Sequence, residues 1–220
     1  MLEDNFKRIS HNIENALVKS GRTDKVRLMA VTKTVPYERV NHAISLGIDL
    51  LGENRVQEFM GKYEFYDKKC EIHFIGGLQN NKVKYIIDKV SMIHSVDSMK
   101  LADEINKRAA ALNRTMDILI EVNIGDEESK GGVALKAAHE LADYCSELSN
   151  VNLRGYMTIP PPSSDSSQYF AQMQELYLNS RARHGGIDIL SMGMSNDYEQ
   201  AVLFGSNIVR IGSALFGSRK

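Results

Sequence analysis

Lys33 closes the apolar run Arg27-Leu-Met-Ala-Val-Thr-Lys33 and is followed at once by Thr34-Val-Pro36. A lysine at the end of a buried strand is costly, because burial disfavours its charged form. The same desolvation makes the neutral amine a nucleophile toward carbonyl carbon. Near the other end of the chain stand Ser191-Met-Gly-Met-Ser195 and Val209-Arg-Ile-Gly-Ser213. Glycine permits close backbone approach, and hydroxyls together with the first amides of a helix hold anions. Met194, Ser195, Gly212 and Ser213 therefore read as a phosphate cradle. A reactive amine beside a phosphate site calls for a phosphorylated aldehyde, and pyridoxal 5'-phosphate (PLP) is the leading candidate. Two other chemistries use the same parts: a PLP enzyme with a second base, and a Schiff-base aldolase or phosphosugar site without PLP.

The elements that must position these residues alternate. Short β-branched, apolar runs predict strands at 26–32, 50–53, 72–75, 92–96, 118–123, 153–157, 187–192 and 208–211. Segments of helical period fall between them, at 37–46, 56–66, 81–88, 99–112, 135–148, 167–183 and 197–204, and a leading helix is expected over 5–20. Strict βα alternation means a parallel sheet. Eight units allow closure into a (β/α)8 TIM barrel spanning 1–220 as one domain, with the leading helix as an extra element. The rival is an open doubly wound sheet, but no Gly-x-Gly-x-x-Gly follows the first strand. Closure sets the first strand beside the eighth, so Lys33 and the cradle converge from opposite ends of the chain. Arg210, inside the last strand, reads either as a bridge at the barrel end or as a guanidinium against a pyridine nitrogen. Arginine keeps its proton, so such a nitrogen would stay unprotonated and the ring would be a weaker electron sink. The Pro160-Pro-Pro162 and Ser163–Ser167 stretch reads as a solvated loop, with a lid as the alternative.

Composition bounds the partners. Lys and Arg number 27 against 28 Asp and Glu, for a net charge of -1, so no bulk field favours nucleic acid or a membrane surface. No apolar run approaches spanning length. Met1-Leu-Glu-Asp-Asn5 is acidic where a signal peptide would begin basic, and Cys70 and Cys145 are far apart without metal-ligand spacing. A cytoplasmic protein with reduced thiols and no metal is expected, and a monomer, since no coiled-coil seam is evident.

Five segments carry a family resemblance. They are Val31-Thr-Lys33; Gly52-Glu-Asn-Arg-Val-Gln-Glu58; His73-Phe-Ile-Gly76 with Leu78-Gln79 and Asn81-Lys82; Ser191-Met-Gly-Met-Ser195; and Val209-Arg-Ile-Gly-Ser213 with Phe216-Gly217. In this order, over nearly the whole chain, the sequence resembles the YggS/PROSC family of PLP homeostasis proteins. The resemblance implies the barrel of bacterial alanine racemase, a fold-type III PLP protein. It implies PLP held as a Schiff base on Lys33, phosphate contacts from Ser195, Gly212 and Ser213, Arg210 near the ring nitrogen and Asn54 near the ring. His73 stays open between a structural histidine and a cofactor contact, and Lys82 and Lys84 between a solvated helix face and cofactor handling. Gly131 stands where the family often has serine, and Asn196 where an acidic or small residue is common.

A racemase moves protons on both faces of its substrate and needs two placed acid/base groups; only Lys33 is evident. The sequence given ends just after the eighth strand, so no added β-domain with a second base is expected. The expected function is therefore a PLP carrier or regulator that stores, buffers or delivers the cofactor to PLP-dependent apo-enzymes. It would exchange with free amino acids by transaldimination and keep amino- and keto-acid pools balanced, without efficient racemase activity.

Overall fold

The computed structural model describes residues 1–127, 130–163 and 165–217. The first strand, β1 (Arg27–Val31), pairs in parallel with β2 (Leu50–Glu53) on one side and with β9 (Ile208–Ile211) on the other. From β2 the ladder runs through β3 (Glu71–Phe74), β4 (Met92–Val96), β5 (Met116–Asn123), β7 (Val151–Thr158) and β8 (Ile189–Ser191) back to β9, every pairing parallel. The ring is a closed eight-stranded barrel, as expected; a two-residue strand, β6 (Val133–Ala134), attaches to the end of β5. The outer helices are α2 (Tyr37–Ser45), α3 (Val56–Lys62), α4 (Val83–Ile86), α5 (Met99–Ala111), α6 (Ala138–Ser146), α7 (Ser167–Arg183), α8 (Tyr198–Leu203) and α9 (Ser213–Phe216). The leading helix α1 (Leu2–Lys19) buries Leu2, Ile9, Ile13 and Ala16. Asn12 ties it to Tyr198 and Glu199 of α8, and Asn5 ties it to the carbonyl of Leu215 in α9.

Alternation along the strands divides the apolar residues into two cores. Ala30, Leu51, Phe74, Ile93, Ile118, Ile120 and Val209 face the helices. Met29, Val31, Leu50, Ile75 and Ile208 fill the barrel beside Met92, Leu119 and Met157. Full burial of each of the larger ones, Val, Leu, Ile, Phe or Met, contributes about 1.5–3 kcal/mol. In β7 the ladder shifts register between Leu153 and Gly155. Gly155 has φ +145°, and a Cβ there would lie 1.8 Å from the Ile189 carbonyl oxygen, so only glycine lets β7 and β8 meet at this point.

The end of the barrel at the strand starts is closed by ion pairs. Arg27 bonds Glu71 at 3.0 Å and Asp49 at 3.4 Å, while Arg154 reaches Asp117 and Asp188, each at 2.5 Å. Arg27, Glu71, Asp117, Arg154 and Asp188 line a cavity of about 450 Å³. Above it, His73 Nδ1 lies 2.9 Å from His94 Nε2, and His73 Nε2 lies 3.4 Å from Glu71. Burial pushes both imidazoles down, with Glu71 opposing the shift at His73 and the neighbouring His73 and Arg210 adding to it at His94. Glu71 accepts from His73 Nε2–H, which leaves His73 Nδ1 to accept from His94. His73 is thus bonded into the floor of the barrel rather than its mouth. Among the described residues no helix is long and apolar enough to cross a membrane, and no group of three or more His, Cys, Asp or Glu side chains is arranged to hold a metal.

Candidate functional site at the barrel mouth

The opposite end, where the strands finish, gathers the chemistry-bearing residues. Lys33 follows β1 by two positions and is half-buried. Met29 and Val31 face the interior, so the alternation carries Lys33 to the same side. Thr32, between them, turns outward: its Oγ1 donates to Glu53 Oε1 at 2.6 Å. Asn54 follows β2, and its side-chain Oδ1 is buried with no hydrogen-bond partner among the described residues. A buried acceptor left in this state is costly unless a ligand or water serves it.

Strands β8 and β9 deliver the cradle. Gly193 follows β8 at φ +92°, and a Cβ there would stand 2.5 Å from the Cβ of Ala201. The glycine therefore lets α8 close against the loop. Asp197 Oδ1 accepts from the Met194 amide at 2.6 Å, which fixes the loop before that helix. Ser195 Oγ accepts from the Ala214 amide at 3.1 Å, so the loop after β8 is joined to the first turn after β9. Gly212 completes the link to the lysine strand: a Cβ on it would meet Val31 Cβ at 3.6 Å. Lys33, Ser195, Gly212 and Ser213 are thus gathered at one edge of the mouth, on adjoining strands.

Arg210 is buried beneath them. Its Nη1 donates to the Ser191 carbonyl at 2.8 Å and to Ser191 Oγ at 2.9 Å, and its Nη2 donates to the Thr158 carbonyl at 2.7 Å. Burial pushes the guanidinium down to about 10, against the pull of Glu121 and Asp197, and it stays charged at neutral pH. Of the two arrangements expected for Arg210, the bridging one is seen, since it binds together the ends of β7 and β8.

Sequence reasoning passed over Glu121. It stands on the interior face of β5, four strands from β1 in either direction and hence across the mouth from Lys33. Burial raises its carboxyl to about 7, the nearby Asp97 adds to the rise and Arg210 opposes it. A Cβ on Gly131 would lie 3.5 Å from Glu121 Oε2, so one of the two positions at which this chain departs from the family habit faces the carboxyl. The sequence carries a signal for it: Glu121 and Asn123 alternate with Ile120 and Val122 along the strand predicted over 118–123. Lys82 and Lys84 lie beyond β3, 5.7 and 5.0 Å from the exposed ring of Tyr85. Ser164, within the Pro-Ser loop after β7, falls outside the described residues.

The residue set suits a phosphorylated, planar aldehyde: an amine for its carbonyl, glycines and hydroxyls for its phosphate, a buried unsatisfied acceptor on Asn54 and a fixed cation on Arg210. This barrel is that of the alanine racemase N-terminal domain, whose family model matches residues 5–220. Alanine racemase of Clostridium difficile superposes with a TM-score of 0.76 at 19% identity, over 98% of this chain and 57% of that one, a likeness of fold alone. The pyridoxal phosphate homeostasis protein of Aquifex aeolicus is 46% identical over 99% of this chain and 98% of its own. PipY of Synechococcus elongatus, solved with PLP bound, is 28% identical with a TM-score of 0.83, over 99% of this chain and all of that one. The chain belongs to the pyridoxal phosphate homeostasis protein family.

Proposed function

We propose that this protein binds PLP at the barrel mouth and acts as a carrier or regulator of the cofactor rather than as an efficient enzyme. The observation that carries this reading is the joining of the cradle to the lysine strand: Ser195 bonded to Ala214, and Gly212 in contact distance of Val31. Full-length relatives named for PLP homeostasis, and a PLP-bound neighbour in PipY, support it. When bound, PLP supplies an aldehyde that condenses reversibly with primary amines.

The chain's own residues have distinct parts in this account. Lys33 is the amine that holds the aldehyde carbon as a Schiff base, with loss of water. Ser195, Ser213, Gly212 and the Met194 loop hold the phosphate. Asn54 orients the ring, and Arg210, which keeps its proton, faces the ring nitrogen and leaves it unprotonated. Release proceeds when an incoming amine adds at the same carbon and Lys33 leaves as the free amine. Residues 1–220 work as one cytoplasmic, monomeric PLP-binding barrel, and the recipients are PLP-dependent apo-enzymes or free amino acids.

The test separates carrier from enzyme. The PLP-loaded protein is offered a panel of D- and L-amino acids, and in parallel an apo-aminotransferase. Restored transferase activity with no turnover of the panel is expected. Turnover of any amino acid that disappears in Lys33→Ala would make this an enzyme.

A further inference from the structure

The backbone that carries Lys33 is held by an unusual number of bonds from one side. Residues 32–35 form a turn, closed by the Val35 amide donating to the Thr32 carbonyl at 3.0 Å. Its third residue, Thr34, has φ +62°. Glycine or asparagine normally fills that position, because a Cβ in the left-handed region costs roughly 1–2 kcal/mol. Such a residue persists only where its surroundings over-determine it, and outliers of this kind concentrate at functional sites.

The surroundings here are two residues of α3, one helical turn apart. The Thr34 amide donates to Glu58 Oε1 at 2.5 Å, and Lys62 Nζ donates to the same oxygen at 2.5 Å. Lys62 Nζ also donates to the Thr32 carbonyl at 3.0 Å and to the Val35 carbonyl at 3.1 Å. All three ammonium hydrogens are thereby used, one on Glu58 and two on the carbonyls of the residues immediately before and two after Lys33. The two side chains are 14% and 21% exposed, so the bonds made by Lys62 are partly shielded from competing water. Burial alone would raise the Glu58 carboxyl; the bonds from Lys62 and the Thr34 amide outweigh it and hold the acid below its ordinary value. On the other flank, Glu53 Oε1 accepts from both Thr32 Oγ1 and the Tyr66 hydroxyl, the latter at 2.5 Å.

We infer that Lys62 and Glu58 are positioning residues for Lys33: they clamp the left-handed turn behind it and so determine how much of the bound aldehyde the amine captures. An amine must be held within about 0.5 Å of its productive position to exploit proximity, and a turn that prefers other conformations cannot hold it there unaided. The inference rests on the reading that Lys33 holds PLP, and deepens it by naming what aims the amine.

The test uses the full chain and four readouts: the fraction of Lys33 trapped by borohydride at sub-saturating PLP, affinity for pyridoxamine 5'-phosphate, amide exchange at Thr34 in the PLP-free protein, and melting temperature. In Lys62→Met and in Glu58→Gln, the trapped fraction should fall at least tenfold and Thr34 exchange should quicken at least tenfold. Affinity for pyridoxamine 5'-phosphate, which has no aldehyde, should change less than threefold, because the cradle lies elsewhere. Lys62→Arg should restore most of the trapping. Thr34→Gly in the Lys62→Met background should recover at least threefold, since glycine adopts the turn without a clamp. If Lys62→Met does not fold, Glu58→Gln and Thr34→Gly/Glu58→Gln give the same comparison. Wild-type trapping in the clamp variants, or a loss that neither arginine nor the glycine turn relieves, would overturn the inference. An absence of any Lys33 adduct in the parent protein would instead sink the reading of Lys33 itself.

Discussion

Ser195 Oγ accepts a hydrogen bond from the Ala214 amide at 3.1 Å, and that one bond joins the loop after β8 to the turn after β9. In the proposed function these two segments surround the phosphate. Ser195→Ala should weaken PLP and pyridoxamine 5'-phosphate alike by about three- to tenfold, the net worth of one hydrogen bond. Titration followed by absorbance checks this. A loss confined to PLP would assign Ser195 to the aldehyde end instead.

Arg210 serves three acceptors in the barrel wall. Arg210→Lys keeps the charge but not the fork, so at least one of the Ser191 and Thr158 acceptors is left unserved. A stability loss of about 2–3 kcal/mol is expected from urea unfolding. Arg210→Glu should in addition protonate the ring nitrogen of bound PLP and shift its absorption. An unchanged spectrum with unchanged affinity would remove Arg210 from the site.

Glu121 gives a pH-dependent signature. Its carboxyl is raised from 4.5 to about 7, so the folded protein holds this proton more tightly than the unfolded chain does. Its contribution to stability therefore falls as pH rises from 4.5 to 7, and the full cost stands above 7. Glu121→Gln should be more stable than the parent at pH 8, by on the order of 2 kcal/mol, and equal to it near pH 4. Urea melts at the two pH values decide; a gain of equal size at both would exclude ionisation as its source.

Glu71 has the opposite sign. The bond from His73 and the pairing with Arg27 outweigh burial and lower its carboxyl to about 2. Its stabilisation is complete above 4.5 and is lost as pH falls toward 2. The difference between the parent and Glu71→Gln should therefore be present at pH 7 and vanish in acid. Because Glu71 is half-exposed, the difference is small. A gap that persists at pH 2 would contradict the assignment.

Much of this architecture was legible in the sequence. The strands at 50–53, 92–96 and 208–211 stand where the short apolar runs put them, and helix 167–183 matches at both ends. Short-range patterns fail where an element is too brief for its period. Val133–Ala134 and Ser213–Phe216 were not read as strand and helix, for two and four residues carry no periodicity. The helix expected over 56–66 stops at Lys62 and tightens into a 3-10 turn at Tyr63–Phe65, and the one expected over 81–88 opens the same way at Asn80–Lys82. At the site, Lys33, Ser195 and Arg210 announced themselves by residue type in an incongruous setting. The clamp did not: Glu58 and Lys62 have the spacing of an ordinary helical ion pair. Only the tertiary fold reveals that their shared partner is the backbone around Lys33.

The most direct measurement is borohydride reduction of the PLP-loaded protein, followed by peptide mass mapping, with the visible spectrum taken before reduction. The account predicts a yellow protein and a pyridoxyl adduct on Lys33. A protein that stays colourless with PLP and carries no adduct on Lys33 would contradict it and return the mouth to a phosphosugar or aldolase reading.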